Sequence, residues 1–207
     1  SLLKVLEEPS ESSTIFLLDH QSNFIPSTIT SRCHSFLMSP LSKEDNIKVL
    51  EQTNYENKDT NLEFFSDISN GSPGEGIKYM KANADKLYDK VCLYYRGLTN
   101  NYDSQILELQ KILENKNKKE NLDIFFQLLQ YLFLKTIYLK ENILINYFLN
   151  NEEDAINRLN KELSMQKLLH ILDIIREKFN TYEVYSLNIE NTLMSTLIKI
   201  NNLILGK

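Results

Sequence analysis

SLLKVLEEPSESSTIFLLDHQSNFIPSTITSRCHSFLMSP, residues 1–40, decides the fold class, because the pattern changes kind at Pro40. Leu2, Leu3 and Leu6 set an apolar helical face that Pro9 ends, since proline lacks the amide hydrogen a helix interior needs. After a turn rich in Ser and Glu, Thr14-Ile15-Phe16-Leu17-Leu18 is a continuous apolar run of strand length, the kind used in a buried parallel sheet. Ser35-Phe36-Leu37-Met38 fits a second strand. Two strands do not make a stable sheet, so the rest of that layer is expected upstream. The chain is therefore read as a fragment unable to close a sheet of its own.

From Pro40 onward the spacing is helical. Ser42 with Asp45 predicts a capped helix start ahead of Ile47 and Leu50. Thr60 with Glu63 predicts another ahead of Phe64, Phe65 and Ile68, closed by Asn70-Gly71. Ser72-Pro73-Gly74-Glu75 supplies an N-cap, a proline at the first helical position and a capping-box carboxylate. The helix it opens is expected to carry Ile77, Met80, Ala84 and Leu87 on one face. Arg96 to Tyr102 reads as a junction. Beyond it, Leu122 to Phe148 is apolar nearly all round, as in a central buried helix or a helical hairpin. Leu163, Leu168, Leu172, Ile175 and Phe179 line one face between Leu159 and Phe179, and Leu193, Leu197, Ile200 and Ile204 line another. The Asn-rich stretches Asn54 to Asn61 and Asn115 to Asn121 read as solvated connections, with Lys116, Lys118 and Lys119 in a loop between helices.

Of 207 residues, 42% are hydrophobic and 25% charged, enough for one large or two small cores. Asp123, Gln127, Gln130 and Lys135 interrupt the apolar run from Leu122 to Leu139, so no membrane span is expected, and no secretory signal is seen; the default location is cytoplasmic. Cys33 and Cys92 are far apart, and His20, His34 and His170 do not complete a metal-ligand spacing, so no metal is expected. A net charge of −5 without a dense Lys/Arg stripe argues against strong autonomous binding of nucleic acid.

Ser1 to Pro9 resembles the helix after the Walker B region of bacterial clamp-loader subunits, members of the AAA+ family. The strand Ile15 to Leu18, then Ile25-Pro26-Ser27-Thr28-Ile29-Thr30-Ser31-Arg32-Cys33, is similar to that family's strand, proline-threonine turn and Ser-Arg-Cys signature. Asn70-Gly71-Ser72-Pro73-Gly74-Glu75-Gly76 resembles the lid-helix start of the stator-type members, where Gly-Ser-Pro-Gly is usual. The motor members, gamma or tau, continue Gly-Ser with a hydrophobic residue and Arg. The resemblance implies a mainly α chain: residues 1–40 a remnant of an α/β nucleotide-binding-type domain, 41–97 a small helical lid, 98–207 a helical collar for oligomerisation. In that family another strand, the one leading into the P-loop, lies between the two read here.

By the same resemblance, Arg32 is an arginine finger acting in trans, reaching the γ-phosphate of ATP bound with Mg by a neighbouring subunit. Arginine suits that task because its planar, permanently charged fork pairs with phosphate oxygens, where lysine offers a point charge. Ser31 is expected to orient the turn and Cys33 to pack. Asp19, whose negative charge faces a phosphate unfavourably, stands where active relatives carry Thr or Asn, and Glu75 stands where the lid's sensor arginine is expected, its simplest role being the capping-box carboxylate; both changes remove favourable interactions with a triphosphate. The implied role is a non-catalytic stator, binding no cofactor through these residues. Its implied partners are gamma/tau and delta subunits and, through the complex, the sliding clamp and primer-template DNA. The rival readings are the motor ATPase itself and an unrelated helical interaction module.

Overall fold

A computed structural model describes residues 2–8, 12–19, 25–53, 61–97, 109, 111, 118–185 and 188–206. The chain divides into two compact units, Ser1–Ser39 and Pro40–Lys207. The first contains α1 (Leu2–Glu7) and the single turn α2 (Ser27–Thr30), which pack on each other. Neither Thr14 to Leu18 nor Ser35 to Met38 forms a strand, and the described residues contain none. The physical reason is visible in their exposure: Phe16, Leu18, Phe36, Leu37 and Met38 lie between 83% and 95% exposed, with no ladder partner beside them. An apolar run sets strand propensity, but only a neighbouring backbone completes a strand.

The second unit is helical: α3 (Lys43–Gln52), α4 (Leu62–Ile68), α5 (Pro73–Lys81), α6 (Ala84–Arg96), α7 (Lys118–Lys140), α8 (Glu152–Glu162), α9 (Met165–Tyr185) and α10 (Ile189–Leu205). The mainly α class read from the sequence is what the structure shows. The Ser42 cap forms, its Oγ accepting from the Asp45 amide at 3.1 Å. The next helix is capped by Asn61 rather than Thr60, which lies outside the described residues; Asn61 Oδ1 accepts from the Phe64 amide at 3.1 Å.

Asn70 and Gly71 turn the chain through consecutive left-handed conformations, φ 47° and 77°. Gly71 is held against Leu41, whose amide donates to Gly71 O at 2.9 Å, and a Cβ on Gly71 would stand 2.6 Å from Leu41 O. Gly71→Ala therefore combines a left-handed penalty of about 1–2 kcal/mol with a backbone clash. A fall in the thermal unfolding midpoint well beyond that of Gly74→Ala, where a Cβ meets nothing within 4 Å, is the expected result.

Three expected helices end elsewhere. Ile77, Met80, Ala84 and Leu87 do not share one helix, because Asn83 takes a left-handed conformation (φ 51°) that separates α5 from α6. The run Leu122 to Phe148 is a helix only to Lys140: Ile143 donates to Tyr138 O and Asn142 to Leu139 O, a Schellman closure with Asn142 at φ 58°. The face from Leu159 to Phe179 is split by an extended Leu163 between α8 and α9. Lys118 and Lys119 belong to the first turn of α7 rather than to a loop, and Lys116 lies outside the described residues.

α7 is the centre of the unit, packed against α6, α8, α9 and α10, while α3, α4 and α5 pack on one another and α5 on α6. Contrary to the sequence expectation, Lys119–Lys140 is long and apolar enough by length and composition to cross a bilayer. Its packing shows a core helix instead: Leu122, Phe125, Leu128, Leu129, Leu132 and Phe133 are fully buried among the neighbouring helices. Leu193, Leu197, Ile200 and Ile204 of α10 are buried as their spacing predicts, and so are Leu163, Leu168 and Ile175.

Candidate functional site

Pro26, at φ −54° and ψ 146°, fixes the entry to α2, and its carbonyl accepts from the Ile29 and Thr30 amides at 2.9 and 3.1 Å. The turn then winds on: Ser31 donates to Ser27 O at 3.0 Å, Arg32 to Ile29 O at 3.0 Å and Cys33 to Thr30 O at 3.2 Å. The three residues of the expected signature, Ser31, Arg32 and Cys33, thus share one compact turn at the end of a single helical coil.

The Arg32 side chain folds back along that coil. Its Nη1 donates to Thr28 O at 2.7 Å and lies 3.5 Å from Ser31 Oγ, and its Nη2 meets Glu7 Oε1 of α1 at 2.6 Å. Ser31 Oγ itself leans on Thr28 O at 3.4 Å. The Arg32 side chain is 39% exposed and that of Glu7 49%, so this is a solvent-screened pair, of a kind worth about 0.2–1 kcal/mol. The fork is held by one main-chain carbonyl and one exposed carboxylate. The sequence pointed to Arg32 and to Ser31 but gave no sign of Glu7, because that pairing needs the packing of α1 on α2.

Asp19 is exposed. Glu75, in the first turn of α5, does not close the expected capping box: Ser72 makes no side-chain cap bond, and Pro73 occupies the first position. The carboxylate instead pairs with Lys78 at 3.5 Å, one helical turn on. Burial first, and the Glu75 carboxylate second, hold the Tyr79 phenol well above its ordinary pKa, and its hydroxyl donates to Gln127 Oε1 at 2.9 Å. Glu75 still lies where the helix dipole favours negative charge.

Cys33 is half-buried and free, whereas Cys92 is fully buried in α6, its thiol pushed far up in pKa by burial and then by the Glu152 carboxylate. A thiol reagent such as Ellman's should therefore titrate Cys33 in the native protein and reach Cys92 only on unfolding. Equal rates at the two positions would contradict that burial. Among the described residues no three His, Cys, Asp or Glu side chains converge as a metal site requires.

What sequence reasoning missed altogether is a buried polar network in the second unit. Lys135 of α7 pairs with Glu152 at the start of α8, the side chains 5% and 0% exposed. Glu152 Oε2 also accepts from the Phe148 amide at 2.6 Å and the Leu149 amide at 3.4 Å, and Oε1 from the Tyr88 hydroxyl at 3.0 Å. Lys135 donates to Asn146 O and lies 4.7 Å from the Phe148 ring centroid and 5.0 Å from that of Tyr131. The pair ties the segment between α7 and α8 to the core at three backbone groups. Its only sequence signal was a lysine inside an apolar run.

Residues 1–42 match the family described as DNA polymerase III, delta subunit. Over 148 residues, 70% of this chain, the sequence is 30% identical to DNA polymerase III subunit delta' of Buchnera aphidicola subsp. Schizaphis graminum (strain Sg), of which the match covers 43%. The chain thus spans less than half the length of that relative. No solved structure matches.

Proposed function

We propose, from the premise that this chain is delta-prime-like, that it acts as a non-catalytic, stator-type subunit of a bacterial DNA polymerase III clamp loader. In this reading Arg32 completes the ATP site of an adjacent gamma or tau subunit, where ATP and Mg are bound, and delta is a further partner. The assembled ring loads the sliding clamp onto primed DNA in the cytoplasm. Residues 41–97 serve as the lid and 98–207 as the collar through which the subunit joins the ring.

The observation that carries the proposal is the Ser31-Arg32-Cys33 turn. It presents a partly exposed guanidinium whose partners, a main-chain carbonyl and an exposed carboxylate, a triphosphate can displace. Asp19 and Glu75 argue for the stator over the motor, because Asp19 puts a carboxylate where a γ-phosphate would need a donor and Glu75 stands in place of the expected sensor arginine. A guanidinium has no such conflict. The charge pattern of the chain thus suits completing a neighbour's site better than binding nucleotide of its own.

Membership is tested by size-exclusion chromatography of the subunit mixed with gamma and delta. Co-elution in one complex is expected; separate elution overturns the proposal. The Arg32 assignment is tested in the assembled complex by ATP hydrolysis at the adjoining site.

A further inference from the structure

The second unit carries a cleft of about 550 Å³ between α4, α5, α7 and the segment that follows α7. Such a volume suits a short peptide or a small ligand. Its rim includes Tyr138, Ile143 and Leu144, which are 44%, 51% and 94% exposed, three of the large apolar side chains this unit leaves in water. Part of its lining is polar: the Tyr131 hydroxyl donates to Asp67 Oδ2 at 2.6 Å, and Gln127, whose Oε1 is taken by Tyr79, donates through its amide hydrogens to no group among the described residues.

Two features make this a built site. The wall containing Ile143 and Leu144 is held by the buried pair: Lys135 grips Asn146 O, and Glu152 grips the Phe148 and Leu149 amides. The apolar rim is thereby fixed in place before any partner arrives, which lowers the ordering cost of binding. The second feature is charge. Of the charged residues lining the cleft, Lys135 is paired with Glu152 and also donates to the Tyr131 hydroxyl at 3.4 Å, while the exposed Asp67 accepts from that hydroxyl and forms no ion pair among the described residues.

We propose that this cleft docks an extended apolar segment of a partner protein that carries one basic side chain. Asp67 is the counter-ion, Tyr138, Ile143 and Leu144 cover the apolar flanks, and the Gln127 amide hydrogen-bonds the segment's backbone. The site lies in the second unit and does not depend on Arg32.

Fluorescein-labelled heptapeptides with alternating Leu and Ser and with Arg, Gln or Glu at the centre are titrated with the 207-residue chain and followed by anisotropy. The Arg peptide should bind about tenfold more tightly than the Gln peptide, as one charge-assisted contact allows, and the Glu peptide least. Asp67→Asn, which keeps an acceptor for Tyr131, should erase the preference for Arg and leave the Gln peptide unchanged. Tyr138→Ala with Leu144→Ser, both at exposed positions, should weaken all three, with an unchanged thermal midpoint showing that the fold is intact. Equal affinity for the three peptides, an Arg preference that survives Asp67→Asn, or absence of binding overturns the proposal. The Arg32 experiment is unaffected by any of these outcomes.

Discussion

Replacing Arg32 with alanine is expected to lower DNA-stimulated ATP hydrolysis at the adjoining site of an assembled loader by about 10³-fold, the size associated with losing an arginine finger. The resting geometry explains why the residue can serve. Its Nη2 rests on Glu7 at 2.6 Å and its Nη1 on Thr28 O at 2.7 Å, with the side chain 39% exposed. Leaving a screened carboxylate costs about 0.2–1 kcal/mol, which a bidentate bond to a triphosphate exceeds. In the proposed role Glu7 serves as a parking place for the fork. Arg32→Lys should recover little of the rate, since the ammonium keeps the charge but loses the planar pair of donors. Glu7→Gln should leave hydrolysis nearly intact, because it removes only the resting partner. If Arg32 is merely structural, Arg32→Ala and Glu7→Gln should instead cause similar small losses of stability, with hydrolysis unchanged in an intact ring.

The parts of the fold legible in the sequence are those decided within one turn of chain. Ser42 accepts from an amide three residues away, and Pro73 at the first position of α5 acts through its own fixed φ and missing N–H, so local reading places both helix starts. The breaks it missed are backbone choices that side-chain spacing does not record. Ile77, Met80, Ala84 and Leu87 keep a helical period across Asn83, yet the left-handed Asn83 ends one helix and begins another. The same holds at Leu163, where the apolar stripe continues and the backbone does not. The two strand readings fail for a different reason: Phe16 and Phe36 have the right propensity, but a strand is defined by a partner outside itself. The site shows the same division. Ser31-Arg32-Cys33 was legible as a contiguous motif, whereas the Glu7 contact and the Lys135–Glu152 pair join residues that only tertiary packing brings together.

Removing Lys135 is expected to be among the most damaging single changes in the second unit. In Lys135→Met the ammonium disappears and Glu152, fully buried, keeps a charge with only neutral donors around it: the Tyr88 hydroxyl and the Phe148 and Leu149 amides. Breaking one side of such a buried pair costs about 3–5 kcal/mol, a large part of the roughly 5–15 kcal/mol that holds a domain together. With a denaturant slope of about 2 kcal/mol/M, the urea midpoint should fall by about 1.5–2.5 M. Glu152→Leu should be at least as harmful, because it orphans the ammonium and two backbone amides at once. The informative variant is Lys135→Met combined with Glu152→Gln. It removes both charges while leaving an amide oxygen for the Phe148 amide or the Tyr88 hydroxyl, so its loss should be well below the sum of Lys135→Met and Glu152→Gln made singly. A strictly additive double variant would mean that the two side chains act independently, each through its own backbone contacts. The segment they hold supplies a second readout. With Lys135 gone, Asn146 O loses its donor, and the exposed Leu144 should become an early chymotrypsin site before global unfolding. Cleavage there at the native rate would show that packing of Tyr147 and Phe148 alone fixes the loop, and that the ion pair contributes stability without shaping the cleft beside it.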